Sequence, residues 1–369
     1  MPVLWPFRPV PESTETLSWE TQVIKTPQTE RRISLRPARQ AFNYSYLLRD
    51  LENARAEWLV RKHPMDDWWV PLWFEASPAQ AVGASQTIFN ISTDAHYFAG
   101  GSLVIWSSCD KASVHEIYSV GVGEVVLAAP VGVAHAKAII MPVRTCWMEG
   151  GLRQSRIQER GLTDVAITFQ CRDTDAPEET PWTQYLNLDL VTKCGTVEPL
   201  AASVAPVFNT IDNGQGPVAL EPQDEFIASR HTMSWRMKSN LWTRRKWLNY
   251  IRGRDRAFWL ADWQKDFVLV GTISAVAVSM TVKKIAPVAS DLAGRHLLID
   301  DGEKTPRLIL GASDSGANQI LTISPLGRII TSARIGLLRK VRFDSDTVEL
   351  AHSHGFYTAT RIPLVEVPE

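Results

Sequence analysis

From Ile33 onward the chain carries periodic signals. Phe42, Tyr44 and Tyr46 alternate with Asn43 and Ser45, the two-residue period of a strand with one buried face. Leu51, Ala54 and Trp58 then recur at helical spacing and predict a short amphipathic helix ending near Lys62. After His63-Pro64 comes Trp68-Trp69-Val70-Pro71-Leu72-Trp73-Phe74, an aromatic strand. Its proline has no N–H for a ladder, so an edge or a bulge is expected there.

The same order of events returns half a chain later. Met233-Ser234-Trp235 matches Tyr44-Ser45-Tyr46, and fourteen positions further on in each case stand Trp58-Leu59 and Trp247-Leu248. Phe258-Trp259-Leu260 with Trp263 repeats Trp68-Trp69-Val70 with Trp73, at an offset one residue larger. Gly253 lies in the intervening loop, where an added residue is easiest to absorb. Strand, helix and aromatic strand recurring in order predict an internal duplication.

Short runs of Val, Ile and Leu follow in both halves, near 86–92, 102–108, 113–120, 124–131 and 137–147, then near 268–282, 295–300, 306–311, 318–324 and 334–343. Asp300-Asp301-Gly302 between two such runs predicts a hairpin, because glycine accepts the positive φ of such turns. Each half closes on a long two-strand element, 143–173 and 341–367. Residues 1–32 read as an extended arm with Trp5, Phe7 and Trp19 as anchors, 33–173 as a first β domain and 225–369 as a second. The Pro-rich stretch 174–224 reads as a connector with some strand content near Tyr185 to Val191. The expected class is mainly β with a few short helices, one flanking each copy.

At 369 residues the chain exceeds one ordinary core. A hydrophobic fraction of 45%, a charged fraction of 21% and a net charge of −1 are those of a globular protein. No apolar run reaches the ~20 residues of a spanning helix, and Met1 to Pro11 lack the layout of a secretion signal; membrane insertion is not expected, and folding in a cytoplasm is. Cys109, Cys146, Cys171 and Cys194 form no C-x-x-C pair and read as free thiols. The 14 tryptophans suggest aromatic surface buried in a core or against other subunits.

Candidate chemistry is sparse. His352-Ser353-His354 puts two imidazoles on one strand face, but nothing nearby supplies a further metal ligand. Cys109, Asp110 and His115 have the residue types of a thiol site without its roles. Gly311-Ala312-Ser313-Asp314-Ser315 lacks the second glycine of a nucleophile elbow. The aspartates at 173–175, 300–301 and 344–346 fit turn chemistry better than a calcium loop. No catalytic, cofactor or metal residue is therefore assigned. From Arg230 to Arg256 nine basic residues face one acid, with Trp235, Trp242, Trp247 and Tyr250 interleaved. Such a stretch suits single-stranded nucleic acid; a near-neutral chain argues against a dedicated binder, and an acidic neighbouring subunit would suit it equally well.

Three runs in the first half, Glu30-Arg31-Arg32-Ile33-Ser34-Leu35-Arg36-Pro37, Phe42-Asn43-Tyr44-Ser45-Tyr46 and Val70-Pro71-Leu72-Trp73, resemble tail-tip proteins of long-tailed bacteriophages, the distal-tail and baseplate-hub proteins. Val165-Ala166-Ile167-Thr168-Phe169-Gln170 and Phe258-Trp259-Leu260-Ala261-Asp262-Trp263-Gln264 add to the likeness. The resemblance implies a non-enzymatic virion subunit built of duplicated β-sandwich or split-barrel domains. It would assemble in the host cytoplasm into a trimeric or hexameric ring. That ring would join tail tube and tape-measure protein to hub, fibre or receptor-binding parts. Trp5, Phe7, Trp69, Trp73, Arg244, Arg245, Trp259 and Trp263 are the candidate assembly contacts. The competing expectation is a carbohydrate-binding or carbohydrate-cleaving β protein, which requires Trp69, Trp73, Trp259 or Trp263 exposed in a groove, and for cleavage two facing carboxylates.

Overall fold

The computed structural model describes residues 2–26, 29–93, 97–157, 161–172, 178–192, 201–204, 208–212, 214, 218–222, 227–237, 241–261, 265–353 and 357–368. Among these the chain is mainly β, with two α-helices. In the first half the elements are β1 (Val3–Leu4), β2 (Glu12–Lys25), β3 (Glu30–Arg49), α1 (Asp50–Lys62), β4 (Trp68–Pro71), β5 (His135–Ile157) and β6 (Leu162–Cys171). β6 lies between β3 and β5, antiparallel to both; β5 pairs antiparallel with β4, and β1 runs parallel to β4. In α1 the Glu52 carboxylate accepts the Arg49 N–H, and Asp50 and Glu52 open the helix while Arg61 and Lys62 close it. That charge order suits the helix dipole.

The second half consists of β7 (Leu188–Val191), β8 (Ala201–Val204), β9 (Ser229–Met237), α2 (Leu241–Ile251), β10 (Phe258–Ala261), β11 (Arg334–Phe343), β12 (Thr347–Ser353) and β13 (Tyr357–Glu366). It repeats the pairing of the first half residue for residue. Tyr44 faces Ile167 and Met233 faces Ile362; Trp68 faces Cys146 and Phe258 faces Val341. Even the parallel step recurs, Leu4 beside Trp69 and Leu190 beside Trp259. The continuous β5 carries a register shift between Glu149 and Arg153, where Gly150 and Gly151 take positive φ. The corresponding strand in the second half is interrupted at 344–346, giving β11 and β12.

Two boundaries differ from the sequence expectation. Residues 12–25 are a central strand, and no free arm: β2 pairs with β3 on one side and with β12 of the second repeat on the other. Its buried positions are Ser13, Glu15, Leu17, Trp19 and Thr21, a strict two-residue period that its polar members conceal from a hydrophobicity reading. Likewise residues 188–191 and 201–204 of the connector are β7 and β8, which pair with β10 and β9 as β1 and β2 pair with β4 and β3.

The helical face also differs. Leu51, Ala54 and Trp58 all point outward, and Asn53 and Ala56 are the residues buried. Between β4 and β5, and again between β10 and β11, a small β module is inserted, each on its own core. One is centred on Phe89, Leu103, Ile105 and Val125, the other on Phe267, Val282, Leu297 and Leu321. Both contain an equivalent hairpin. Ser102–Ser108 pairs with Lys111–Gly121 and with β5, and His296–Asp300 pairs with Lys304–Leu308 and with β11. Gly302 turns the second hairpin at φ 107°. Beyond these hairpins the modules diverge, the second forming a separate three-stranded sheet. No described helix is long and apolar enough to cross a membrane.

Candidate functional site at the repeat junction

Where β2 passes from one repeat to the other, its inward period-two position is Glu15, with no exposed surface. The carboxylate is met from both halves. Gln40 Nε2 and the Tyr97 hydroxyl each donate to Oε1 at 2.6 Å, and Arg245 Nε donates to the same oxygen at 3.1 Å. Arg245 Nη2 and His352 Nε2 take the other oxygen, the histidine at 3.0 Å. Arg245 Nη1 reaches Glu75 Oε1 at 3.3 Å. Phe74 stacks on the His352 ring at 3.9 Å between centroids, and the Arg245 guanidinium lies 4.0 Å over the Tyr97 ring. Arg245 comes from α2 and His352 from β12, both of the second repeat. Gln40, Phe74, Glu75 and Tyr97 come from the first.

Burial alone would raise the Glu15 pKa; the charge of Arg245 and the His352 hydrogen bond outweigh it and hold the carboxyl well below the usual range. Burial works against Arg245 too, and Glu15 overcomes it, keeping the guanidinium charged. His352 is pushed down by burial and stays neutral. Its Nε2–H then donates to Glu15 while Nδ1 accepts from the Thr358 hydroxyl at 2.8 Å. Glu75, buried and only partly compensated by Arg245, is raised to about 7. A closed group of this kind offers no surface to a substrate. It acts as a register lock, because any slip between the repeats would leave a buried charge without its partner. A cleft of about 610 Å3 lies beside it, lined from both repeats by residues including Glu12, Asn43, Arg153, His352 and Tyr357.

The sequence-nominated contacts are distributed differently from expectation. Trp5, Phe7 and Trp73 are buried in the core of the first repeat, and Trp259 is buried with Tyr185, whose carbonyl accepts its Nε1–H at 3.1 Å. Trp69 is half-buried. The rings of Trp5, Phe7, Trp73 and Trp259 are thus covered by their own chain, Trp259 by Leu190, Leu298 and Leu338 on the strand face opposite Phe258. Trp263 lies outside the described residues. Arg245 belongs to the lock, and Arg244 stacks on Trp182 and Trp235 at 4.8 and 4.7 Å. Further basic residues of the stretch are paired within the chain: Lys246 with Glu179, Arg252 with Glu178 and Arg254 with Asp346. Both nitrogens of His352 are engaged, and His354 lies outside the described residues. Cys109 donates to Glu52, and burial together with that carboxylate raises its thiol to about 11, while His115 meets Ser113 instead. Cys146 and Cys171 face each other across β5 and β6 with sulfurs 3.5 Å apart.

Glu15, Gln40, Glu75 and Tyr97 were not nominated from the sequence. The one available signal was the period-two placement of Glu15 among Leu17 and Trp19, which a purely apolar pattern search passes over. The chain matches no protein-family model and no curated protein sequence.

Proposed function

We propose that this protein is a non-enzymatic structural subunit of a bacteriophage tail tip or baseplate. In this reading it forms a ring of its own copies that links the tail tube and the tape-measure end to hub, fibre or receptor-binding parts. It is assembled in the host cytoplasm, inserts in no membrane and makes no use of nucleic acid. The observation carrying the reading is β2, one strand shared by two register-identical repeats and locked there by a buried ion pair. A unit that already joins itself head to tail within one chain is suited to continuing the series between chains. The inward-facing Trp73 and Trp259 also support it, because they are not placed as sugar-stacking platforms. Native mass measurement of the purified protein tests the proposal: a trimer or hexamer is expected, and a strict monomer would overturn it, with sugar-hydrolysing activity then pointing to the carbohydrate reading.

A further inference from the structure

The repeat symmetry specifies which edges are left for a neighbouring copy. β8 is the register equivalent of β2: Ala202 faces His231 as Glu15 faces Phe42, and Val204 faces Ser229 as Leu17 faces Gln40. The far end of β5 is the equivalent of β12: Gln154 faces Val165 as Leu350 faces Thr360. Inside the chain β2 uses both of its edges, and its second edge is taken by β12. Among the described residues β8 pairs with β9 alone, and β5 beyond Glu149 pairs with β6 alone. Each repeat therefore supplies one half of the same joint, and among the described residues the outer pair of halves is open.

We infer that a second copy of this chain closes that joint. Ala201–Val204 of one copy adds antiparallel to the 152–155 edge of the next, in the register that β2 and β12 use internally. This rests on the ring reading above and names its interface. Transferring the internal pairs gives the contacts. Glu15 opposite Leu350 becomes Ala202 opposite Gln154, and Leu17 opposite Val348 becomes Val204 opposite Leu152 of the next copy. The second transfer is the informative one. Leu17 and Val348 are both buried in the core of the second repeat. Their equivalents are also apolar: Val204 is 66% exposed on a bare edge, and Leu152 is half-buried against the first core. An exposed valine on an unpaired strand is an aggregation liability unless something covers it. Here the covering segment is available in matching register, with Arg153 to Arg156 equally exposed. The junction between copies lacks the ion-pair lock, since Ala202 stands where Glu15 does. It is thus an edge-strand joint that copies form after folding, whereas the internal joint forms with the fold. Such a head-to-tail contact uses different surfaces on its two sides and closes into a ring when the rotation permits.

Paired cysteines test it. Opposite residues of antiparallel strands lie within disulfide reach, so Ala202→Cys with Gln154→Cys, oxidised under native conditions, is expected to give a covalent ladder ending at the native ring size. Ala202→Cys with Ser155→Cys is expected to give none, because adjacent strand residues point to opposite faces. Each single variant controls for the native cysteines. Val204→Lys is expected to dissociate the ring into monomers with unchanged circular dichroism and melting temperature. If the wild-type protein is a ring but the 202–154 pair stays unlinked, or links within one chain, this interface is wrong and the ring reading stands. If the wild-type protein is a monomer at micromolar concentration, both fall.

Discussion

Trp5 and Trp247 occupy corresponding places in the two repeats although they come from different segments. Trp5, from the residue after β1, packs at 5.9 Å on Tyr46 and 5.5 Å on Trp68. Trp247, from helix α2, packs at 5.2 Å on Trp235 and 5.4 Å on Phe258, the register equivalents of those two rings. One indole fills that place in each core. Where Trp5 fills it, α1 docks through Ala56 and turns Trp58 outward, 56% exposed beneath Lys62; where Val191 stands at the site equivalent to Trp5, α2 supplies the ring.

The two helical tryptophans should therefore respond very differently to truncation. Trp247→Ala empties a core site and is expected to destabilise by about 3–5 kcal/mol. Trp58→Ala, at an exposed position, should stay within about 0.5 kcal/mol of wild type. Urea denaturation of both variants measures this, and equal losses would contradict the exchange of roles.

Breaking the junction lock from one side should cost more than removing it. Arg245→Met leaves Glu15 charged in a closed site, and about 3–5 kcal/mol of destabilisation is expected. Adding Glu15→Gln removes the stranded charge, so the double variant should be more stable than Arg245→Met alone. A double-mutant cycle in denaturant gives the coupling; additive losses would show that the two groups do not act as a pair.

Stability should depend on pH through Glu75, His352 and Glu15 with opposite signs. Glu75 rises from 4.5 to about 7 on folding, so across that window the folded chain holds a proton the unfolded chain has lost, and its contribution to stability falls as pH rises. His352, lowered from 6.5, and Glu15, lowered from 4.5, act the other way: their contributions are lost as pH falls below those ordinary values. Glu75→Gln keeps a neutral acceptor for Arg245 and is expected to be more favourable, relative to wild type, at pH 8 than at pH 5. Melting temperatures across this range decide it, and a difference independent of pH would refute the raised carboxyl.

Gly253 should not tolerate a side chain. It sits at φ +64°, where a Cβ would lie 2.7 Å from Asp346 Oδ1 and 3.0 Å from its Cα. Asp346 is held there by the Arg254 side chain and by the N–H groups of Arg254 and Thr21. Gly253→Ala thus combines a left-handed backbone with a displaced, hydrogen-bonded carboxylate, and a loss above about 1 kcal/mol is expected. Gly316→Ala, at φ +62° with open space around it, isolates the backbone part and should lose less.

The repeat, its strand–helix–strand order, the alignment of Tyr44 with Met233 and of Trp68 with Phe258, and the hairpin at Gly302 are legible in the residue pattern. These follow from local periodicity and turn chemistry, which act over a few neighbouring residues. Long-range packing, by contrast, makes residues 12–25 join the repeats, puts Trp5 in the core place that Trp58 leaves, and closes Glu15, Glu75, Arg245 and His352 into one site. A buried glutamate and an exposed one read alike in a period-two strand. Glu15 is separated by 230 residues from Arg245, so nothing local records their contact. Likewise Trp58 and Trp247 stand alike in the sequence, and which of them is buried depends on whether Trp5 or the smaller Val191 stands beside the helix, because a close-packed interior has room for one indole at that place.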